Sequence, residues 1–233
     1  MPLRVLITGA NRGLGLEFTR QYVQDGGRVF ASCRDPARAY ALQELARRFP
    51  ETLLVLPLDV TNVASIDAAV SVIDAEVGVL DLLINNAGVY PHGERLERLD
   101  PHAMLRTYHV NCVGPVMMVQ RALHLLRRGE GPKIVNLSSR LGSLTLKQRG
   151  GTYSYGSSKA ALNMLTRTLA FDLRSEGMVV VSLHPGWVQT DMGGEEAPLT
   201  PSESVQGARQ VIEGLTLEQS GGFYTWEGER LPW

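Results

Sequence analysis

Short apolar runs alternate with helix-length amphipathic stretches along the whole chain, and few architectures accept that pattern. The runs Leu3–Ile7, Val29–Ala31, Leu53–Leu56, Leu82–Ile84, Ile134–Leu137 and Val179–Leu183 lack the polar alternation of a strand with one wet face. Strands of that kind are buried on both faces of a parallel sheet. Between them lie segments long enough for helices, roughly 13–25, 37–48, 63–76, 102–127 and 155–175. Parallel strands need crossover connections, and a helix in each crossover covers the sheet. The pattern therefore predicts an α/β fold, a doubly wound parallel sheet with helices on both faces. A short helix near 202–213 and a closing strand near 222–225 complete it. No repeat or Pro/Gly-rich linker divides the chain, so residues 1–233 read as a single domain, and 191–201 is its one flexible stretch.

Composition narrows the partners. The 233 residues carry a net charge of -1, with 44% hydrophobic and 20% charged. That balance suits a domain with a full core and gives no reason to expect nucleic acid or an anionic membrane. The apolar start is too short for a signal peptide or a membrane span, so the cytoplasm is the expected compartment. Cys33 and Cys112 are too few and too isolated for a metal site, and both read as buried thiols. No metal is expected. Only Lys133, Lys147 and Lys159 among the 23 basic residues are lysines. A lysine at a motif position is therefore more informative here than an arginine.

The first strand runs into Thr8-Gly9-Ala10-Asn11-Arg12-Gly13-Leu14-Gly15. Glycines at this spacing allow a tight turn, bring a diphosphate close to the backbone, and let helix and strand pack closely. The helix N-terminus behind them offers free N–H groups to phosphate. A purely structural turn is the alternative. Placed after a first strand, the motif reads as a dinucleotide loop of a Rossmann-type sheet, and Gly9, Asn11, Arg12, Gly13, Leu14 and Gly15 are cofactor candidates.

The end of strand two distinguishes the nicotinamide cofactors. An acid there accepts from a ribose 2′-hydroxyl, whereas an arginine neutralises a 2′-phosphate. The chain reads Ser32-Cys33-Arg34-Asp35-Pro36, and Arg34 with Arg12 points to NADPH/NADP. Asp35 dissents, because if it faced the ribose NADH would be favoured. It is expected to turn away and cap the next helix before Pro36. Asp59 and Val60 end strand three. The carboxylate can accept from an adenine amino group and the Val60 N–H can bond the ring; a plain helix cap is the alternative for Asp59. Asn86, Ala87 and Gly88, in Asn85-Asn86-Ala87-Gly88 after strand four, let the chain pass beneath the adenine ribose.

Tyr155 and Lys159 stand four apart, and on one helix such residues share a face. A lone phenol titrates near pH ~10 and is a poor acid at neutrality. A neighbouring cation is expected to lower that value and make Tyr155 a usable general acid/base. The spacing alone is common on solvated helices.

Taken together these motifs resemble the short-chain dehydrogenase/reductase family over essentially the whole length. The matching residues are Thr8-Gly9…Gly13-Leu14-Gly15, Asp59, Asn85-Asn86-Ala87-Gly88, Asn111, Ser138-Ser139, Tyr155…Lys159 and Pro185-Gly186-Trp187-Val188-Gln189-Thr190. Within the family the chain looks most like the small carbonyl reductases of the sniffer and C-factor type, through Ser32-Cys33-Arg34-Asp35-Pro36 and Gly222-Phe223-Tyr224…Leu231-Pro232-Trp233. The resemblance implies a catalytic tetrad of Asn111, Ser139, Tyr155 and Lys159. Tyr155 would protonate the carbonyl oxygen, and Lys159 would lower its pKa and hold the nicotinamide ribose. Ser139 rather than Ser138 would bond the substrate oxygen, and Asn111 would hold a water linking Lys159 to solvent. Pro185, Gly186, Val188 and Thr190 would hold the nicotinamide. It also implies a homodimer or homotetramer through helices near 102–127 and 155–175, where Met117, Met118, Leu162 and Leu165 could face a partner; the alternative is that they cover the sheet.

Departures from the family pattern shape the pocket. The stretch Lys147-Gln148-Arg149-Gly150-Gly151 lengthens the segment between Ser139 and Tyr155 and reads as a polar loop at the pocket mouth. His184, before Pro185, reads as structural. The short segment after Thr190 suggests an open cleft walled by loops near 90–96, 140–152 and 187–201. The expected activity is NADPH-dependent reduction of a small aldehyde, ketone or quinone. The alternatives are NAD-linked alcohol oxidation, motivated by Asp35, and a cofactor-binding signalling or sensor protein with incidental turnover.

Overall fold

The computed structural model describes residues 2–233. Seven strands form one parallel sheet in the order β3-β2-β1-β4-β5-β6-β7. They are β1 (Arg4–Thr8), β2 (Arg28–Cys33), β3 (Leu53–Pro57), β4 (Leu82–Asn85), β5 (Lys133–Leu137), β6 (Val179–His184) and β7 (Phe223–Thr225). The helices are α1 (Gly13–Gln24), α2 (Tyr40–Arg48), α3 (Val63–Glu76), α4 (Pro101–Tyr108), α5 (Gly114–Leu126), α6 (Tyr153–Asp172) and α7 (Pro201–Gly214).

The period of two along the strands divides the core. Val5 and Ile7 of β1, Val29 and Ala31 of β2, and Val179 and Val181 of β6 point to one face, where Phe18 and Tyr22 of α1, Leu42 of α2 and Ile212 of α7 meet them. Leu6, Phe30 and Val180 point to the other, against Ile66 and Ile73 of α3, Met118 and Leu125 of α5 and Ala170 of α6. The apolar residues of β1, β2, β4, β5 and β6 are thus buried on both faces, which explains the unbroken apolar runs. At the base of the sheet Arg4 and Asp81 form a two-pronged pair at 2.7 Å, tying β1 to the start of β4. Burial opposes the Asp81 charge, but its bonds from Arg4 outweigh that and hold the carboxyl below the usual carboxylate range.

Two expected helices differ. The segment 102–127 is broken: α4 ends at Tyr108, one π turn spans His109–Val113, and α5 resumes at Gly114. Pro115 has no N–H to give the preceding turn, so the ladder changes register there. The segment 37–48 becomes a single 3₁₀ turn, Pro36–Arg38, before α2. Asp35 precedes that turn but makes no capping bond. Met118 and Leu162 belong to the core rather than to an outward face. The large exposed apolar residues of these helices are Leu105, Val113, Met164 and Phe171 instead. Among the described residues no helix is long and apolar enough to cross a membrane, and no cluster of His, Cys, Asp or Glu is arranged to hold a metal.

Candidate active site

The strand order reverses between β1 and β4, and a crevice opens there at the C-terminal ends of the strands. A cleft of about 990 Å³ occupies it. Its walls include Gly9, Asn11, Arg12, Gly13, Leu14, Arg34, Asp59, Val60, Asn86, Ala87, Gly88, Tyr155, Lys159, Pro185 and Thr190. Residues from six separate stretches of chain, singled out by motif alone, therefore share one cavity.

The glycine loop is built for close approach. Gly9 has φ +66°, and a methyl there would stand 2.9 Å from the Ala87 Cα. A methyl on Gly15 would collide with the Asn86 amide and the Gly9 carbonyl, so Gly15 packs behind the cleft rather than lining it. Thr8 and Asn86 fasten the loop to β4: the Thr8 hydroxyl accepts from the Asn86 and Ala87 N–H groups, each at 3.0 Å, and Asn86 Nδ2 donates to the Thr8 carbonyl at 2.7 Å. Such a cradle suits a diphosphate.

Charges around the adenosine end are unevenly matched. Arg12 pairs with Asp191 at 2.6 Å across the cleft mouth, both side chains being about 70% exposed. Arg34 has no ion-pair partner among the described residues, nor has Arg38, a lining residue that sequence reading missed. Its signal was a second arginine four residues after Arg34, muted by the abundance of arginine. Asp35 also lines the cleft, contrary to the expectation that it turns away. Asp59 is not the helix cap; Asn62 caps α3. Burial disfavours the Asp59 charge, but bonds from the Thr61 hydroxyl and N–H outweigh it, with Arg34 and His109 adding, and the carboxyl lies below its ordinary range. His109 and Arg106 were likewise missed; both reach the wall from α4 and the π turn.

At the other end Tyr155 is buried, while the Ser139 hydroxyl accepts from the Leu141 N–H at 3.2 Å and lies outside the cleft lining. Burial pushes the phenol up to about 12, with the Ser139 hydroxyl opposing and Tyr90 adding. The expected lowering by Lys159 is not met in this structure. The ammonium lies 5.7 Å from the ring centroid and donates to the Leu137 carbonyl at 2.7 Å. Lys159 itself is pushed down to about 8 by burial, with Cys112 opposing. Ser138 instead donates to Asn163 at 2.6 Å.

Asn111 sits fully buried in the π turn, behind the wall. Its amide spans the Val89 backbone, accepting from the N–H at 2.8 Å and donating to the carbonyl at 2.9 Å, and also donates to Ser158. Gly186 and Val188 lie outside the cleft lining, with Val188 bridged to Leu199. His184 is pushed down to about 4 by burial, with Arg140 adding, and its buried Nδ1 has no partner. Cys33 and Cys112 are free, buried thiols that burial pushes up.

The sheet order and its switch-point cleft define a Rossmann-type nucleotide-binding protein. The short chain dehydrogenase pattern matches residues 4–199, and the chain belongs to that family of oxidoreductases, which act on alcohol and carbonyl groups with a nicotinamide dinucleotide. It is 47% identical to C-signal of Myxococcus xanthus over 156 residues, 67% of this chain and 94% of that protein. It superposes on carbonyl reductase Sniffer of D. melanogaster with a TM-score of 0.96 at 35% identity, covering both chains in full. The NADPH-bound carbonyl reductase from chicken fatty liver gives 0.94 at 40% identity, again over the whole of each chain.

Proposed function

We propose that this protein is an NADPH-dependent carbonyl reductase that reduces a small aldehyde, ketone or quinone, with Tyr155 as general acid. The observation that carries the proposal is the single cleft that Tyr155 and Lys159 line together with the glycine loop. A phenol near 12 keeps its proton at neutral pH, the form that reduction needs. Tyr155 gives that proton to the carbonyl oxygen as charge gathers there. Ser139 bonds the same oxygen and polarises it. Lys159 places a cation beside the ring and can hold ribose hydroxyls. Asn111 supports both by fixing the backbone at Val89.

The cleft suits the dinucleotide. Gly9, Asn11, Gly13 and Leu14 would take the diphosphate, Gly15 the packing behind it, and Asn86, Ala87 and Gly88 the adenosine ribose. The Asp59 carboxylate and Val60 N–H would take the adenine. Arg12, Arg34 and Arg38 would take the 2′-phosphate, a reading the NADPH-bound chicken fatty liver relative supports. Pro185, Gly186, Val188 and Thr190 would hold the carboxamide. The bound nicotinamide supplies the hydride; the chain supplies proton, position and charge.

The test is turnover of NADPH by the purified protein against a panel of aldehydes, ketones and quinones. No reduction of any would sink the reading. Asp35 in the cleft wall favours a second reading, NAD-linked alcohol oxidation. Dissociation constants for NADPH and NADH, read by nicotinamide fluorescence, separate the two; tighter NADH would favour the second. A homodimer through α4, α5 and α6 belongs to the same proposal. Met164 and Phe171, seven apart on α6, share an exposed face at 66% and 68% exposure. Gel filtration at low concentration tests it.

A further inference from the structure

The helix that carries Tyr155 and Lys159 begins without a cap of its own. The first N–H groups of any helix have no partner within it. In α6 the cap residue, Thr152, lies in the left-handed region at φ 52° and makes no capping bond. It is the only non-glycine residue with positive φ among the described residues. Its hydroxyl accepts from Lys147 Nζ at 3.0 Å instead. The orphan Ser154 N–H is taken by a carboxylate from elsewhere in the chain. Glu94, 60 residues earlier, accepts from it at 3.0 Å and also accepts from the Ser154 hydroxyl. Ser154 is fully buried and stands one residue before Tyr155.

Glu94 belongs to the loop after β4, and that loop is held at both ends. Asn111 grips its start through both backbone groups of Val89. Between the anchors, the Tyr90 ring meets the Tyr155 ring edge-on, with centroids 4.7 Å apart and planes at 76°. The loop therefore touches the phenol-bearing turn twice, once through the helix backbone and once through the ring.

We propose that Glu94 is a positioning residue for the reduction: by capping α6 from the loop after β4 it fixes the turn that carries the Tyr155 hydroxyl. The acid acts through Ser154 and not on substrate. A carbonyl acceptor of the same reach does the same work, whereas a shorter acid does not. Misplacing a reacting group by an ångström costs up to ~100-fold in rate. The cofactor end of the cleft, formed by the glycine loop, lies on other elements and is untouched.

The inference rests on the reductase reading, and the two fail differently. A wild-type protein that reduces no carbonyl removes the reading. An active wild type allows the variants Glu94→Ala, Glu94→Gln and Glu94→Asp to be compared by kcat, carbonyl KM and NADPH dissociation constant. Glu94→Ala should lower kcat ~10- to 100-fold with the NADPH dissociation constant within about twofold of wild type. Glu94→Gln should restore kcat to within about threefold, and Glu94→Asp, a methylene short, should fall between. Unchanged kcat in Glu94→Ala would overturn the proposal, as would equal damage to kcat and NADPH binding. Should Glu94→Ala not fold, Gln and Asp variants indistinguishable in kcat would overturn it as well.

Discussion

Strand β5 meets a lysine at each end, and the two are used in opposite ways. Lys133 opens the strand, and its ammonium donates to the Ile212 and Glu213 carbonyls at 2.7 and 2.8 Å. Those carbonyls end α7, where a helix leaves acceptors unpaired and its dipole favours a cation. Lys159 approaches the other end of the strand and donates to Leu137, its one hydrogen-bond acceptor among the described residues. An ammonium has three donors. Lys133 spends two of them on completing a helix; Lys159 keeps two for the cleft it lines. Burial lowers the pKa of both, and Glu213 offsets this at Lys133. Scarcity of lysine therefore marks cost as much as catalysis. On the proposed function, the lysine in the cleft is distinguished by its unspent hydrogen-bonding capacity.

The largest effect that would sharpen this comparison lies beside Lys159 rather than on it. Tyr155→Phe removes the proton and leaves the ring packed on Tyr90. Reduction should fall ~10²- to 10⁴-fold with NADPH affinity little changed, as steady-state rates and fluorescence titration would show. Next comes Lys159→Met, which should lower turnover ~10²-fold or more yet stabilise the fold. The folded pKa of about 8 lies below the unfolded value near ~10.4. The protein thus disfavours the cation, a penalty of order ~3 kcal/mol that is fully present below pH 8 and relieved as pH rises toward the unfolded value. Losing the Leu137 bond returns ~1 kcal/mol of that. Melting should rise several degrees at pH 7 (~2–4 °C per kcal/mol). A lower melting temperature would break the contrast with Lys133. The wild-type rate of reduction should also fall as pH climbs through about 8, where Lys159 loses its charge. A flat profile to pH 10 would remove the cation from the mechanism.

What could be read in advance follows how far apart the interacting residues are. The sheet was legible because each strand carries its burial on both faces, and the glycine loop because Gly9, Gly13 and Gly15 act within one turn. Tyr155 and Lys159 were legible as a pair because a helix converts spacing into proximity. Their electrostatics were not. The spacing suggested a lowered phenol pKa, but burial is a tertiary fact and, with Tyr90 adding, pushes it up to about 12. The π turn was hidden because Pro115 acts on a ladder whose helical continuation looked unbroken. Met118 and Leu162 were left open between facing a partner and covering the sheet, and only the packed core shows that they are buried within the chain. Arg38 was lost among arginines, and Glu94 had no local signal, since its partner is 60 residues away.

The smallest effect completes the comparison at the other end of β5. Lys133→Met removes two charge-assisted bonds from the end of α7 and leaves the Ile212 and Glu213 carbonyls to water. Hydrogen bonds to charged groups contribute ~1.5–3 kcal/mol each when made, less where water can replace the donor. Lys133 is half-buried and carries a burial penalty of its own, which its removal also relieves. The net loss should therefore be only ~1–2 kcal/mol, a fall of ~2–8 °C in melting temperature. Turnover should stay within about twofold, because α7 ends on the far side of the sheet's strands from Tyr155. Urea unfolding with an unchanged slope would assign the loss to the native state. Should Lys133→Met instead damage turnover as Lys159→Met does, the two lysines would not be separable by their hydrogen-bonding capacity, and the assignment of function to the one with spare donors would fail.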